Sequence, residues 1–413
     1  MGQLTPLPIV DDVDAHVGEF QPAADVVPLR YDIRFDEASV DYDVQKVLRR
    51  LVRYGHEAYL VGGCVRDLLL QRRPKDFDVA TSARPEEVKH LFRNSRIIGR
   101  RFRLVHVVFQ GGKVIEVATF RRSPKEPTEG SDETAELLIR SDNTFGRADE
   151  DAMRRDFTMN ALFYDIEAHQ VIDWVGGLED IRHQIVQTIG DPETRFREDP
   201  VRILRALKFA GRLGFGITPP VYDAIVYCRD SLELAARPRL SEEILRLLRG
   251  GEARRTIFLA WETGVLDMLL PELSALLTDA GDRGSRARCV WRLLEYLDRL
   301  SVSGQSPDDG VLWAVLLLEP LKEACENKRD WGAVVHDFME PLVARLAISR
   351  RHADTVRRIV SVLPRIQAGR PGRLARTELF QTALTVAAAD LWARGESLES
   401  LRKFAAPRTN PAH

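Results

Sequence analysis

From Arg197 onward, nearly every segment of this sequence repeats its apolar residues at helical spacing, and the signals for strands stop. Val201, Leu204, Ala206, Leu207 and Phe209 form one such set, and Ile244, Leu245, Leu247 and Leu248 another. The C-terminal half is therefore expected to be all-helical. The first half reads differently. Val44, Val47, Leu48, Leu51 and Val52 give an amphipathic helix before the turn at Gly55, and Ala58 to Val61 is a short apolar strand ending in Gly62-Gly63. Val65 to Leu70 is helical again, and Phe77 to Ala80 reads as a second strand. Pro85-Glu86-Glu87 opens a further helix, with proline at its first position and acids at the positive end of its dipole. Leu104 to Phe109 and Val114 to Phe120 are β-rich runs joined around Gly111-Gly112, a hairpin signal. Residues 40–120 thus form a small mixed α/β domain, and the fold class is α+β.

A chain of 413 residues is too long for one ordinary core, so about two to four domains are expected. Residues 1–38, rich in Asp, Pro and Ala without periodicity, read as a mobile lead-in, and 122–150 as a flexible loop. A net charge of −2 excludes a molecule that binds nucleic acid with its whole surface, so if RNA is a partner the basic residues must be concentrated on one face. Such a concentration lies between Arg345 and Arg376, where arginines recur with only Asp354 opposing them. Arg350, Arg351, Arg357 and Arg358 are its RNA-contacting candidates, the alternative being a solvated helical face. The four cysteines form no CxxC pair, which argues against a zinc site or a disulfide framework and fits a reducing cytoplasm. The N-terminus has no signal-peptide pattern, and the longest apolar run, Val311 to Leu318, is too short to span a bilayer. The expectation is a soluble, cytoplasmic protein without a membrane partner.

The chemistry centres on Lys75-Asp76-Phe77-Asp78-Val79, following Gly62-Gly63-Cys64-Val65-Arg66-Asp67. On a strand, residues i and i+2 share a face, so Asp76 and Asp78 aim together while Phe77 faces away. Two adjacent carboxylates repel unless a cation sits between them, and hard oxygen ligands suit Mg²⁺, which keeps waters and recruits substrate phosphates. Two such ions roughly 3.5–4 Å apart activate a hydroxyl and steady a leaving pyrophosphate. An Asp-x-Asp alone is more often a solvated turn. The upstream glycine pair changes the balance: Gly62-Gly63 ends a strand and opens a helix, where backbone N–H groups receive phosphate, and Arg66 adds a fork of donors one turn on. Glu116 reads either as a further metal-side carboxylate or as a surface glutamate, His106 as packing, Cys64 as an inert small residue and Asn160 as a turn hydrogen-bonder.

GGCVRDLLL followed by KDFDVAT resembles the class II nucleotidyltransferases, the family of bacterial poly(A) polymerases and CCA-adding tRNA enzymes. The likeness continues through Arg154-Arg155-Asp156-Phe157-Thr158-Met159-Asn160-Ala161, Asp173-Trp174-Val175-Gly176-Gly177 and Glu198-Asp199-Pro200-Val201-Arg202-Ile203-Leu204-Arg205, covering residues 40–270 in family order. It implies a palm-like nucleotidyltransferase head over 39–185, a nucleobase-binding helical neck over 186–272, and a helical body and RNA-binding tail over 273–413, the helical half being elongated. It also implies that Asp76 and Asp78 hold two Mg²⁺ ions, and that Gly63, beside Gly62, contacts the triphosphate together with Arg66 and Arg155. Asp156 is then a third catalytic carboxylate or the partner of the ribose hydroxyl; a simple Arg155–Asp156 ion pair is the bland alternative. The helix bearing Asp199, Arg202, Arg205 and Lys208 is implied to lie against the base and phosphates, and the spacing of 199, 202 and 205 puts those three on one face.

Ile97 to Val107 resembles the block that marks the bacterial poly(A) polymerases, so the implied reaction transfers AMP from ATP to RNA 3′ ends with release of pyrophosphate. Addition of CCA to tRNA is the alternative. A catalytically dead RNA-binding protein is a further one, which retention of Asp76, Asp78 and Asp156 together argues against. The better-known polymerases end in a long basic extension, whereas the stretch after Leu401 offers only Arg402, Lys403 and Arg408.

Overall fold

The computed structural model describes residues 27–99, 103–122, 144–279, 281, 284–402 and 404. The chain forms two compact units, Met1–Arg202 with Phe215–Ala224, and Ile203–Gly214 with Ile225–His413.

The first unit is built on an eight-stranded sheet. Its strands are β1 (Leu29–Asp32), β2 (Ala58–Val61), β3 (Asp78–Thr81), β4 (Ser95–Ile98), β5 (Leu104–Val108), β6 (Val114–Thr119), β7 (Phe163–Asp165) and β8 (Gln170–Asp173), ordered β1-β8-β7-β2-β3-β6-β5-β4. Every pairing is antiparallel except β3 with β6. Helix α1 (Tyr42–Arg53) starts on Asp41, whose carboxylate accepts the Asp43 N–H, and buries Val44, Val47, Leu48 and Leu51. Helices α2 (Gly63–Leu69) and α3 (Pro85–Leu91) follow β2 and β3. One face of the sheet carries Val61, Ala80, Phe120, Phe163 and Ile172, and helix α4 (Ala148–Met153) covers it with Ala148 and Ala152.

Two elements lie where irregular chain was expected. β1 falls within the stretch read as a lead-in: it pairs with β8 at the sheet edge, and its largely exposed side chains leave no apolar alternation to read. Helix α4 begins in the last three residues of the stretch read as a loop. It is less than two turns long, too short for a hydrophobic period, although Asp149, Glu150 and Asp151 mark its first turn. Residues 123–143 of that stretch, residues 1–26, residues 100–102 of the Ile97 to Val107 block, and Lys403 and Arg408 lie outside the described residues.

After α5 (Gly177–His183) come the two-residue strand β9 (Ile185–Val186), α6 (Pro192–Glu198) and α7 (Val201–Leu213). The helical expectation beyond Arg197 fails once in this unit. Gly214, at φ +77°, stops α7, and β10 (Gly216–Ile217) then pairs in parallel with β9. The second unit is helical throughout its described residues, as the spacing foretold. Its helix Asp309–Leu316 is buried from Gly310 to its end, with Trp313 among the largest fully enclosed side chains.

Two carboxylates are fully buried in the second unit. Glu319 accepts from Arg286 at 3.1 Å and from Arg394; Asp390 accepts from Lys322 at 2.6 Å, Gln367 at 2.5 Å and Arg394 at 3.0 Å. Arg394 bridges both acids, so helices distant in sequence are joined by one charge network. No described helix is long and apolar enough to cross a membrane.

Candidate active site

The Gly62-Gly63 turn follows directly from the end of β2. Gly62 sits at φ +76°, ψ −135°, a conformation only glycine adopts without strain. A Cβ there would lie 3.0 Å from Nη1 of Arg155, so the bare backbone also lets that guanidinium approach. Arg155 donates from Nε and Nη2 to Asp151 Oδ2 at 3.2 and 2.9 Å, and from Nη1 to the Asn160 carbonyl at 3.3 Å. Its carboxylate partner is therefore Asp151, four residues back, and not Asp156. Asp151 also accepts the Arg121 N–H at 3.1 Å, which ties α4 to the end of β6. About a quarter of the Arg155 side chain stays exposed.

Arg66 is only 3% exposed, and its nitrogens are committed. Nε and Nη2 bond Asp67 at 3.0 and 2.7 Å, while Nη1 donates to the Asn160 side-chain carbonyl at 2.6 Å. The amide of Asn160 turns its nitrogen to Asp156 Oδ1 at 3.3 Å, and that same oxygen accepts the Phe157 N–H at 2.9 Å. Asn160 is thus the turn hydrogen-bonder it was read to be, and more: one buried amide joins Arg66 to Asp156, while its backbone carbonyl holds Arg155.

The three-residue turn carrying Asn160 (Thr158–Asn160) is fixed from below by the Asp173-to-Gly177 motif. Asp173, 1% exposed, accepts four backbone N–H groups, from Val175, Gly176, Gly177 and Leu178, at 2.9–3.1 Å. Gly176, in the left-handed region at φ +82°, starts α5. A Cβ on Gly177 would lie 2.1 Å from the Thr158 carbonyl oxygen, and Asp180 on α5 accepts the Thr158 hydroxyl. Gly177→Ala is therefore expected to displace α5 or the turn. We expect a loss of about 1–3 kcal/mol of stability by overpacking, together with reduced turnover, read by urea unfolding and primer extension. Unchanged values in both would show that the close approach is unimportant.

Asp78 opens β3, opposite Val61 on β2 and Glu116 on β6. Asp76 does not reach the strand: it lies in the bend before it, because β2 has already turned into α2 at Gly62 and leaves no partner there. The two carboxylates still share one electrostatic site. Desolvation by the surrounding protein pushes the Asp78 carboxyl above its ordinary value; the charges of Glu116 and Asp76 push the same way, and Arg155 opposes them. Both aspartates remain exposed to solvent; the Asp78 carbonyl accepts from the Cys64 thiol at 4.0 Å, and neither carboxylate accepts a hydrogen bond among the described residues. Glu116 turns to His106 Nε2 at 3.2 Å, its cross-strand partner on β5. Burial raises the Cys64 thiol to about 12, in keeping with an inert residue.

Asp199 does not share a helix with Arg202 and Arg205. It caps α6 at φ −148°, ψ 92°, because Pro200 bars the preceding residue from the α region, and α7 begins only after that proline. The shared face holds for Arg202 and Arg205 alone. Arg202 is buried and donates from Nη1 to Glu198 Oε2 at 2.7 Å and to the Arg195 carbonyl at 3.0 Å. Arg205 and Lys208 belong to the second unit, where both cations lie over the Phe209 ring and Lys208 pairs with Glu243 at 2.8 Å. In the same unit Arg350 and Arg351 are exposed in the first turn of the helix Arg350–Gln367, whereas Arg357 and Arg358 share Asp354 at 2.5 and 4.0 Å.

Residues 58–187 match the poly A polymerase head domain, and residues 214–277 the probable RNA and SrmB- binding site of polymerase A. Poly(A) polymerase I of Escherichia coli is 37% identical over 391 residues, which is 90% of this chain and 83% of that one. The CCA-adding enzyme of Geobacillus stearothermophilus is 42% identical over 229 residues, 55% of this chain and 54% of its own length. Among solved structures, the Bacillus stearothermophilus CCA-adding enzyme in complex with CTP superposes with a TM-score of 0.64 at 30% identity, covering 89% of this chain and 83% of that one. A mixed α/β head with paired carboxylates beside a Gly-Gly turn, continued by helices, defines a nucleotidyltransferase. Within that class, the chain belongs to the bacterial poly(A) polymerase family.

Proposed function

We propose that this enzyme extends RNA 3′ ends with adenylate from ATP, the 3′-oxygen displacing pyrophosphate from the α-phosphorus. The observation that carries the reading is Asp78 opposite Val61, next to the Gly62-Gly63 turn that Arg155 approaches, with the charge of Asp76 reaching Asp78. Asp76 and Asp78 would hold Mg²⁺, which supplies Lewis-acid stabilisation of the phosphoryl oxygens and a more acidic 3′-hydroxyl. The donor set fits. No described group of three or more acidic, His or Cys side chains closes into a cage, and a two-carboxylate site leaves coordination positions to water and phosphate, as this ion requires.

The remaining roles divide between contact and support. Arg155, partly exposed beside the glycine turn, contacts the triphosphate; Arg66, enclosed by Asp67 and Asn160, holds the Asn160 amide that in turn bonds Asp156. Asp199 and Arg202 present an acceptor and a donor to the nucleobase. Adenine and cytosine offer the matching amino donor and ring acceptor, whereas guanine and uracil offer the reverse. Asp199→Ala is expected to lower discrimination against GTP and UTP by about 1–3 kcal/mol, the worth of one aligned base-edge pairing. Unchanged kcat/KM ratios across the four nucleotides would move base reading elsewhere. The pair does not separate ATP from CTP, and preference for ATP rests on the relatives matched over most of the chain.

RNA is held by the arginine face of the helix Arg350–Gln367. Arg350 and Arg351 sit at the positive end of the helix dipole, where cations cost stability, so their placement serves something other than the helix. Replacing Arg350, Arg351, Arg357 and Arg358 by Gln should weaken RNA binding and flatten its salt dependence by about 0.7 in logarithmic slope per lost single-strand phosphate contact. An unchanged slope would assign them to a solvated face.

A further inference from the structure

Arg195 on α6 is nine-tenths buried, and three of its hydrogen bonds reach in two directions. Nη2 donates to the backbone carbonyls of Arg154 and Arg155 at 2.8 and 2.5 Å, the two peptides just before Asp156. Nη1 donates to Glu198 Oε2 at 2.8 Å, and that same oxygen accepts from Arg202 at 2.7 Å. Arg202 closes the loop by donating to the Arg195 carbonyl. One carboxylate oxygen is therefore shared by two buried guanidinium groups. One grips the Arg154–Asp156 segment, and the other is the base reader.

Two buried cations this close repel unless an anion lies between them, and loss of that anion leaves both uncompensated. Desolvation and the charge of Arg202 bring Arg195 down to about 10, with Glu198 and Asp156 opposing. Charge-assisted bonds of this kind are short and directional, so they set position as well as charge. α6 is itself anchored, since the Asp191 carboxylate accepts the Thr194 N–H at 2.7 Å. Nothing in the motif reading gave Arg195 or Glu198 a role.

We propose that Arg195 and Glu198 form a positioning clamp that locks Arg202 to the Arg154–Asp156 segment, so that a base mismatched at Arg202 is felt as misplacement of the reacting phosphate. Neither residue touches substrate. The clamp rests on the base-reading role assigned above to Arg202, and its signature is selectivity rather than stability alone: loosening it lets a wrong base bind without displacing Asp156.

The experiment measures steady-state kcat/KM for ATP, CTP, GTP and UTP on one RNA primer, with a thermal melt of each protein. Wild type is compared with Glu198→Gln, which keeps the size but removes the charge, and with Arg195→Gln/Glu198→Gln, which removes the buried pair together. The clamp predicts that Glu198→Gln lowers the ATP:GTP and ATP:UTP ratios roughly tenfold, as expected for coupled neighbours. It predicts a raised KM for ATP, and a double variant that loses no more selectivity than the single one because the two residues act as a unit. Equal losses for all four nucleotides, or ratios that stay at the wild-type value, would overturn it, as would additive losses in the double variant. A wild-type enzyme that accepts all four nucleotides alike would instead remove the base-reading assignment. That result is distinct from a selective wild type whose variants stay selective, which removes only the clamp.

Discussion

Asp78→Asn is expected to reduce primer extension by about a thousandfold or more, with RNA binding nearly intact. The change removes one charge from a site where the charges of Glu116 and Asp76, added to desolvation, already raise the proton affinity of Asp78. What that concentrated negative charge achieves is attraction of a cation to the reacting phosphates, worth several kcal/mol of transition-state stabilisation, and about 4 kcal/mol corresponds to three decades in rate. Asp76→Asn should follow the same pattern, although Asp76 reaches the site from a bend and not from the strand. RNA binding is read separately by filter retention. Near-normal extension by either variant would show that the wrong carboxylates were chosen.

Glu319→Ala is expected to lower the unfolding free energy of the helical unit by about 3–5 kcal/mol, the usual cost of breaking a buried ion pair from one side. Arg286 and Arg394 would lose a fully enclosed partner, Arg286 being left to Glu326 and Arg394 to Asp390. The cost comes from leaving two largely buried guanidinium groups with reduced compensation more than from the lost attraction. Glu319→Gln, which keeps a carbonyl acceptor, should therefore be milder. Urea unfolding followed in the helical unit reads the difference; a loss below about 1 kcal/mol would mean that water or rearranged partners satisfy the two guanidinium groups.

Local signals carried most of the head's architecture. Ala58–Val61 is a strand over the residues read as one, because four apolar residues end at a glycine pair that can only turn. The Gly111-Gly112 hairpin and the Pro85 helix start are equally local. Asp76, Asp78, Gly62 and Arg155 could be assembled from spacing and family likeness, since the sheet simply brings motif ends together. The tie between Asn160, Arg66 and Asp156 could not, because it spans 94 residues and depends on a turn set by Gly177 from another element. Asp151 was legible in principle as a carboxylate four residues before Arg155, but it stands between the stretch read as loop and the motif that opens at Arg154, and neither drew it in. The placement of Asp199 was also legible, since Pro200 bars the residue before it from a helix whatever the spacing suggests.

Incubating the wild-type chain with Mg²⁺, each nucleoside triphosphate in turn, and either an unstructured oligoribonucleotide or a tRNA lacking its 3′ end tests the central claim most directly. Adenylate polymerisation from ATP, with little or no extension from GTP, UTP or CTP, is the result expected here. Ready use of CTP with addition ending after a few nucleotides on a tRNA lacking its 3′ end, or no extension from any nucleotide, would contradict it.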